Sequence, residues 1–408
     1  MPKLTDLSKA YSGISRNMWI LAVAMFINRC GSMVLLFMSV YLTKSLHFSI
    51  PEAGFIMMLF GAGSIVGAFI GGKLVDTIGF YPILVWSLIL CGIMLMILGQ
   101  MHEYRYIAIF TFLVTATGDM FRPANSAAIS SYSSKDNYPQ SIALNRLAMN
   151  LGFTIGPVLG GVLATYSYDL LFWADGITCA FAAIFIFLIL PNRKAIADEK
   201  DALPNADQGH ISPYRDKQFI AFVIFTMLYA LTFFQLITTL PLYFKEVYKL
   251  SEKHIGWLMA LNGIGVAVIE MFLIYYIQDK WTKFKFIALG ALLLIASYWI
   301  LLPVHSLYIL LLSMILITAS EMLAMPFMST YALKRANPGS MGQYMALYSM
   351  AWSIAQILAP LLGTQIIDRF GYAALFGVLG CIAMIPFLGF RWMDRQVQED
   401  QPQAEVAA

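Results

Sequence analysis

Apolar residues along this chain do not alternate with polar ones; they run on. Twelve near-continuous apolar stretches lie near residues 17–42, 52–75, 80–100, 105–131, 139–166, 170–190, 217–244, 253–278, 284–303, 306–333, 341–366 and 371–391. Each approaches or exceeds the ~20 residues that a helix needs to cross a bilayer. Only helices and closed barrels satisfy the backbone in lipid, and these runs are far too long for barrel strands of about 9–11 residues. The pattern predicts an all-α membrane protein with twelve transmembrane helices.

Composition agrees. The chain of 408 residues is 60% hydrophobic and 12% charged, with a mean hydropathy of +0.72. Soluble domains carry about 25% charged residues. A net charge of +3 leaves no basic face for a nucleic-acid partner. Lys and Arg are placed unevenly: seventeen fall on the side that receives both termini and the alternate loops, and six on the other. The positive-inside rule then makes both termini cytoplasmic, in a multi-pass protein of the inner (plasma) membrane. The first run is too long for a signal-peptide core and carries Asn28 and Arg29 near its middle, so no cleaved leader is expected. Cys30, Cys91, Cys179 and Cys381 stand singly inside apolar runs without C-x-x-C spacing, and read as packing residues.

The longest polar interruption, 191–216, contains prolines and divides six runs from six. It predicts an N-terminal six-helix bundle over 1–190, a cytoplasmic linker over 191–216, a C-terminal bundle over 217–395 and a disordered cytoplasmic tail over 396–408. The halves also align on each other. Asp76 falls on Asp279, Pro123 on Pro326, Pro157 on Pro360 and Gly160 on Gly363, each pair 203 residues apart. Four matches at equivalent depths indicate a duplicated unit, and so two pseudo-symmetric bundles.

Two motifs carry a family resemblance. Gly72-Lys73-Leu74-Val75-Asp76-Thr77-Ile78-Gly79, after the second run, resembles the G-x-L-x-D-R-x-G-R-R signature of the major facilitator superfamily, with Thr77, Phe80 and Tyr81 in place of basic residues. Gly152-Phe153-Thr154-Ile155-Gly156-Pro157-Val158-Leu159-Gly160-Gly161, in the fifth, matches G-x-x-x-G-P-x-x-G-G of that superfamily's drug:proton antiporter branch. Close helix packing alone is the other reading of this second motif. The resemblance implies the major facilitator fold, alternating access between the two bundles, and a central cavity lined by helices 1, 4, 7 and 10. It also implies conformational roles for Gly72, Asp76 and Gly79, and for the fifth-helix residues Gly152, Gly156, Pro157, Gly160 and Gly161. Arg146, in the first turns of the fifth run, reads as a snorkelling or loop-latching residue.

Six ionisable residues lie clearly within runs, away from their ends: Arg29, Asp119, Arg122, Arg146, Glu270 and Glu321. Each costs about 2.5–3.5 kcal/mol at a helix centre, so such residues normally face a cavity or a partner. Asp119 and Arg122 sit at i and i+3 and can pair, with Arg29 and Asn28 facing the same cavity; a static salt-bridge network is the alternative. Glu321 and Glu270 have no basic residue expected beside them in their own half, and desolvation suits such a carboxyl to proton carriage. Glu321 is the first candidate for proton coupling, Glu270 the second, with Asp119 beside them. Asn28, Arg29, Asp119, Arg122, Gln235 and Glu321 make up the candidate substrate cavity, and the 24 methionines suit an adaptable apolar wall. Asp175 reads as a hydrated residue near the extracellular end of the sixth run.

No histidine cluster suggests a metal or haem, and no G-x-x-x-x-G-K-[ST] suggests ATP. The energy source is then a gradient rather than a cofactor. The reading is a non-enzymatic, monomeric secondary transporter whose partners are a small molecule, protons and the lipid bilayer. Proton-coupled efflux of lipophilic or amphipathic molecules leads, and proton-coupled import of a polar nutrient such as a small peptide, sugar or organic acid is the alternative. A membrane enzyme or receptor on the same scaffold is a third reading, and a receptor would show binding without flux.

Overall fold

The computed structural model describes residues 13–133, 137–191, 213–277, 280–302, 306–335 and 341–406. Helices account for the structure, and the described residues contain no strand. Each of the twelve apolar runs coincides with helix. Among the described residues, eight helical stretches are long and apolar enough to cross a membrane by length and composition. Two departures from twelve separate spans have visible reasons. The fourth run is divided between α5 (Tyr104–Asp119) and α6 (Phe121–Tyr132), because the break comes at Met120, just ahead of Pro123. The last two runs make α15 (Met341–Val406), two helical segments that meet at Gly371, where φ is +80° and the backbone is not helical. Only glycine adopts that backbone readily. α15 continues to Val406, through the residues that sequence suggested as a disordered tail; Gln, Glu and Ala there are good helix formers.

The first run of each half is interrupted. α1 (Arg16–Cys30) stops at Gly31 and Ser32, and α2 (Met33–Val40) resumes in a π-turn through Tyr41–Ser45. α9 (Lys217–Phe233) gives way to a single turn, α10 (Gln235–Thr238), and then α11 (Leu240–Glu246). The remaining helices are α3 (Ile50–Ile78), α4 (Phe80–Leu98), α7 (Tyr138–Tyr166), α8 (Asp169–Ile189), α12 (Glu252–Ile277), α13 (Lys283–Trp299) and α14 (Leu307–Arg335).

The chain forms two compact units. Of the described residues, those within 1–48, 59–198 and 249–263 make unit 1, and those within 49–58, 199–248 and 264–408 make unit 2. In unit 1, α1 packs on α7 and α8, and α4 on α5, α6 and α8. Its core runs from Met18, Leu21 and Met25 through Leu84 and Leu88 to Phe121 and Ile186. In unit 2, α9 packs on α15, and α13 on both α14 and α15. Aromatic side chains dominate there: Phe222 meets Tyr331, Tyr348 and Phe390, and the Tyr298 hydroxyl donates to the Thr232 carbonyl at 2.7 Å.

Most of the segment 191–216 lies outside the described residues, as does Asp279 of the repeat. Asp216, at its end, is the N-cap of α9 and accepts from the Phe219 N–H at 3.1 Å. Arg335, closing α14, reaches the same carboxylate through Nε at 2.8 Å and a guanidinium NH₂ at 3.2 Å, and the Tyr344 hydroxyl donates at 3.1 Å. Three helices of unit 2 are thus tied at one acid. At the equivalent place in unit 1 the Gly13 carbonyl accepts from the Asn137 amide.

Burial of Asp216 opposes its charge, but the hydrogen bonds from Arg335, Phe219 and Tyr344 outweigh it and hold its pKa below the ordinary carboxylate value. A depressed acid stabilises the fold fully at neutral pH, and that stabilisation is lost as pH falls through the folded-state pKa. Asp216→Ala is expected to destabilise unit 2 by about 2 kcal/mol. Asp216→Asn keeps the cap but flattens the acid limb of the thermal-unfolding profile; melting curves at neutral and acid pH check both.

Candidate functional site

The interruption of α1 places its polar residues. Asn28 and Arg29 occupy the last turn before Gly31. The Asn28 amide points to the Cys179 sulfur on α8 at 3.5 Å. The Arg29 guanidinium lies over the Phe153 ring of α7, 5.4 Å from its centroid, and its Nε is buried without a hydrogen-bond partner. At the α5–α6 break, Arg122 Nε meets Asp119 Oδ1 at 2.9 Å, with Arg122 half-exposed and Asp119 mostly buried. The structure therefore pairs Asp119 with its i+3 neighbour, and Arg29 forms no ion pair with it.

Asp175 corrects the reading from sequence. It is not hydrated but 2% exposed, and its carboxylate accepts from the Met33 N–H (3.0 and 3.2 Å to its two oxygens) and from the Val34 N–H (2.8 Å). These are the first amides of α2, which a helix start leaves without internal partners. The signal was present in sequence as an acid well inside an apolar run, but its partners lie 141 and 142 residues away.

In unit 2, Gln235 is fully buried at the α9–α10 break. Its amide donates to the Ala359 carbonyl at 2.8 Å, and its oxygen accepts from Thr239 at 2.8 Å and Thr238 at 3.3 Å. It is built into the helix joint, not displayed as a free cavity-lining group. Glu270 on α12 is 7% exposed. Glu321 on α14 is half-buried and follows Ser320, whose hydroxyl hydrogen-bonds to Tyr229 of α9 at 2.9 Å.

The glycines of α7 divide by face. A Cβ on Gly152 would come within 2.5 Å of the Arg29 Cβ, one on Gly156 within 3.1 Å of the Cys30 carbonyl, and one on Gly160 within 2.9 Å of the Met33 Cβ. These three let α7 lie directly along the interrupted helix. Gly161 looks elsewhere, to Glu252, Lys253 and Gly256 of α12. Pro157, inside α7, brings its carbonyl against Gly256, where no side chain fits.

Comparison with known proteins places this architecture. The family model of the Major Facilitator Superfamily matches residues 21–360 and again 222–407. The chain belongs to the major facilitator superfamily. It is 26% identical to the uncharacterized MFS-type transporter YttB of Bacillus subtilis, over 96% of this chain and all of that one. It is 24% identical to the Na(+), Li(+), K(+)/H(+) antiporter of Planococcus maritimus (90% and 93% covered) and 24% identical to multidrug resistance protein 1 of B. subtilis (86% and 89%). Among solved structures, a POT family transporter in complex with 5-aminolevulinic acid superposes with a TM-score of 0.80 at 16% identity, covering 95% of this chain and 98% of that one. The protein is therefore an integral membrane transporter with the fold of this superfamily.

Its superfamily signature sits at the end of α3. Asp76 is exposed and, among the described residues, forms no ion pair; Arg146 is exposed too. A Cβ on Gly72 would meet nothing, whereas Gly79 has φ +86° and turns the chain into α4. The two motifs thus differ in kind, one at an open helix end and the other packed on both faces. Gly152→Val is expected to lower stability by about 1–3 kcal/mol, because the Arg29 stem must move. Gly72→Ala in the helix should be neutral or stabilising by up to about 1 kcal/mol. Thermal unfolding of the two variants side by side checks the contrast.

Proposed function

We propose that this superfamily member exports lipophilic or amphipathic small molecules in exchange for protons, by alternating access. One observation carries the reading: carboxyl groups are held inside apolar membrane helices, Glu270 buried on α12 and Glu321 half-buried on α14. Transfer from water into such surroundings favours the neutral acid, so access to water decides when a proton is bound or released. A transporter that exposes such a group to each side in turn has the differential proton affinity that coupling requires. The α7 glycine motif supports the same branch, and relatives described as an ion/H(+) antiporter and a multidrug resistance protein agree with it. Glu321 is assigned as the principal proton carrier, Glu270 as the second and Asp119 as the third.

A second reading, proton-coupled import of a polar nutrient, is favoured by the buried Arg29 Nε without a hydrogen-bond partner and by the Asp119–Arg122 pair, which suit a zwitterionic or anionic solute. Solute accumulation in inverted against right-side-out vesicles separates the two directions.

Glu321→Gln mimics the protonated state. It should abolish pH-gradient-driven flux in proteoliposomes while leaving solute exchange and melting temperature near those of the wild type. A large fall in melting temperature would instead make Glu321 a structural partner of a basic group. Unchanged flux with Gln at both 270 and 321 would remove these residues from coupling.

A further inference from the structure

The two interrupted helices break at the same place in the repeat: Gly31 and Ser32 fall on Phe234 and Gln235, 203 residues on. Inside lipid, backbone groups released by such a break must find partners within the protein. In unit 2 the groups that occupy the joint are neutral. Gln235, Thr238 and Thr239 bond to one another and to the Ala359 carbonyl, and none of them titrates near physiological pH. In unit 1 the joint is closed by a carboxylate, Asp175, on two successive amides of α2. The residue equivalent to Asp175 in the second half is Val378.

The surroundings make this carboxylate unusual. Asp175 is 2% exposed, and no described basic residue lies within ion-pair distance of it. Cys179 faces it one turn along α8, Cys91 faces it from α4, and Arg29 of α1 lies beyond Cys179. Lys44 ends the segment that begins at Met33, and Arg146 occupies the opposite end of α7 from the α7–α8 connection. Two opposing influences therefore act on one group: burial favours the neutral acid, and the amide donors favour the charged one. Gly31 adds a steric requirement, because a Cβ there would overlap the Thr178 hydroxyl on α8. The joint is pressed directly against the helix that carries the acid.

We propose that Asp175 is a proton-operated clamp on the broken first helix. Ionised, it holds Met33 and Val34 through charge-assisted hydrogen bonds. Protonation adds a hydrogen to one oxygen, weakens both contacts and frees Met33–Val40 to move relative to Arg16–Cys30. Asp175 is then a positioning residue: it sets the geometry of Asn28 and Arg29, one turn before the joint. Its place in transport rests on the proton-coupled reading above, while the clamp itself does not.

The test is hydrogen exchange of the full-length protein in lipid nanodiscs at neutral and acid pH, corrected for the intrinsic exchange rate at each pH. In the wild type, protection of the Met33–Val40 segment should fall roughly tenfold on acidification, as the weakening of charge-assisted hydrogen bonds implies. The matching segment around Leu236–Tyr243 should not respond. Asp175→Asn keeps an acceptor oxygen without the titration, so its protection should be indifferent to pH, and its pH-gradient-driven flux should be lost. Wild-type protection that ignores pH overturns the clamp without needing any variant to fold. A wild-type response retained in Asp175→Asn overturns it as well. If the clamp responds but the wild type shows no pH-driven flux, the coupling reading fails and the clamp stands. If flux is pH-driven and unchanged in Asp175→Asn, the clamp's role in transport fails and coupling stands.

Discussion

A helix inside lipid has no water to accept the amides and carbonyls that a bend releases, and this constraint orders the whole structure. At the interrupted first helix of each unit, a side chain takes over the released groups. Asp175 does so at the α1–α2 joint, and Gln235 ties its counterpart in unit 2 to α15. Other hydroxyls turn back onto their own helix: Thr154 donates to the Asn150 carbonyl at 2.9 Å, Thr318 to Met314 at 2.8 Å and Thr330 to Pro326 at 2.7 Å. These bonds keep polar side chains satisfied at little structural expense. An irregularity with a dedicated partner on another helix is a different matter, because it couples the position of one helix to the chemistry of the next.

Between helices, lipid supplies no hydrophobic driving force, so close approach has to come from small residues and shape. Unit 1 uses glycine. Gly152, Gly156 and Gly160 seat α7 along α1 and the start of α2, and Gly63, Gly67 and Gly71 bring α3 onto Thr115, Ala116 and Met120 of the α5–α6 joint. Glycine stripes therefore lie against both irregular helices of this unit. Unit 2 relies more on interlocking aromatic rings, with Tyr229, Tyr298, Phe219 and Phe222 among its largest buried side chains. The repeat conserves the path of the chain while the packing chemistry of its halves has diverged.

What the sequence made legible follows the range of the interaction. The apolar runs show the helices because hydropathy is additive over a span. The Asp119–Arg122 pair is readable because i and i+3 share a helix face. The α7 motif is readable because its glycines recur every fourth residue. The interruptions of α1 and α9 escape, since Gly31, Ser32 and Gln235 are each tolerated in a regular membrane helix. Asp175 escapes for a sharper reason. Position near the end of a run suggested water, whereas its exposure is set by Gly31 and Thr178, which bring two distant helices into contact. Gln235 was legible as a polar residue in the right helix but not as the residue that holds the joint.

Duplication explains why these joints matter. At the repeat offset Glu270 and Glu321 replace Gly67 and Gly118, and Val378 replaces Asp175. Each unit thus carries titratable acids where the other carries an apolar or small residue. Gly67 lies against the Ala116 carbonyl in unit 1, a contact that a glutamate side chain could not occupy. Ionisable residues in membrane helices are expensive, and the unit 2 joint is closed by neutral groups, Gln235, Thr238 and Thr239. Closing such a joint does not by itself call for an acid, since Gln235 does so in unit 2, where Val378 supplies no acceptor. Acids on one side only of an otherwise duplicated frame are what the proposed proton coupling draws on.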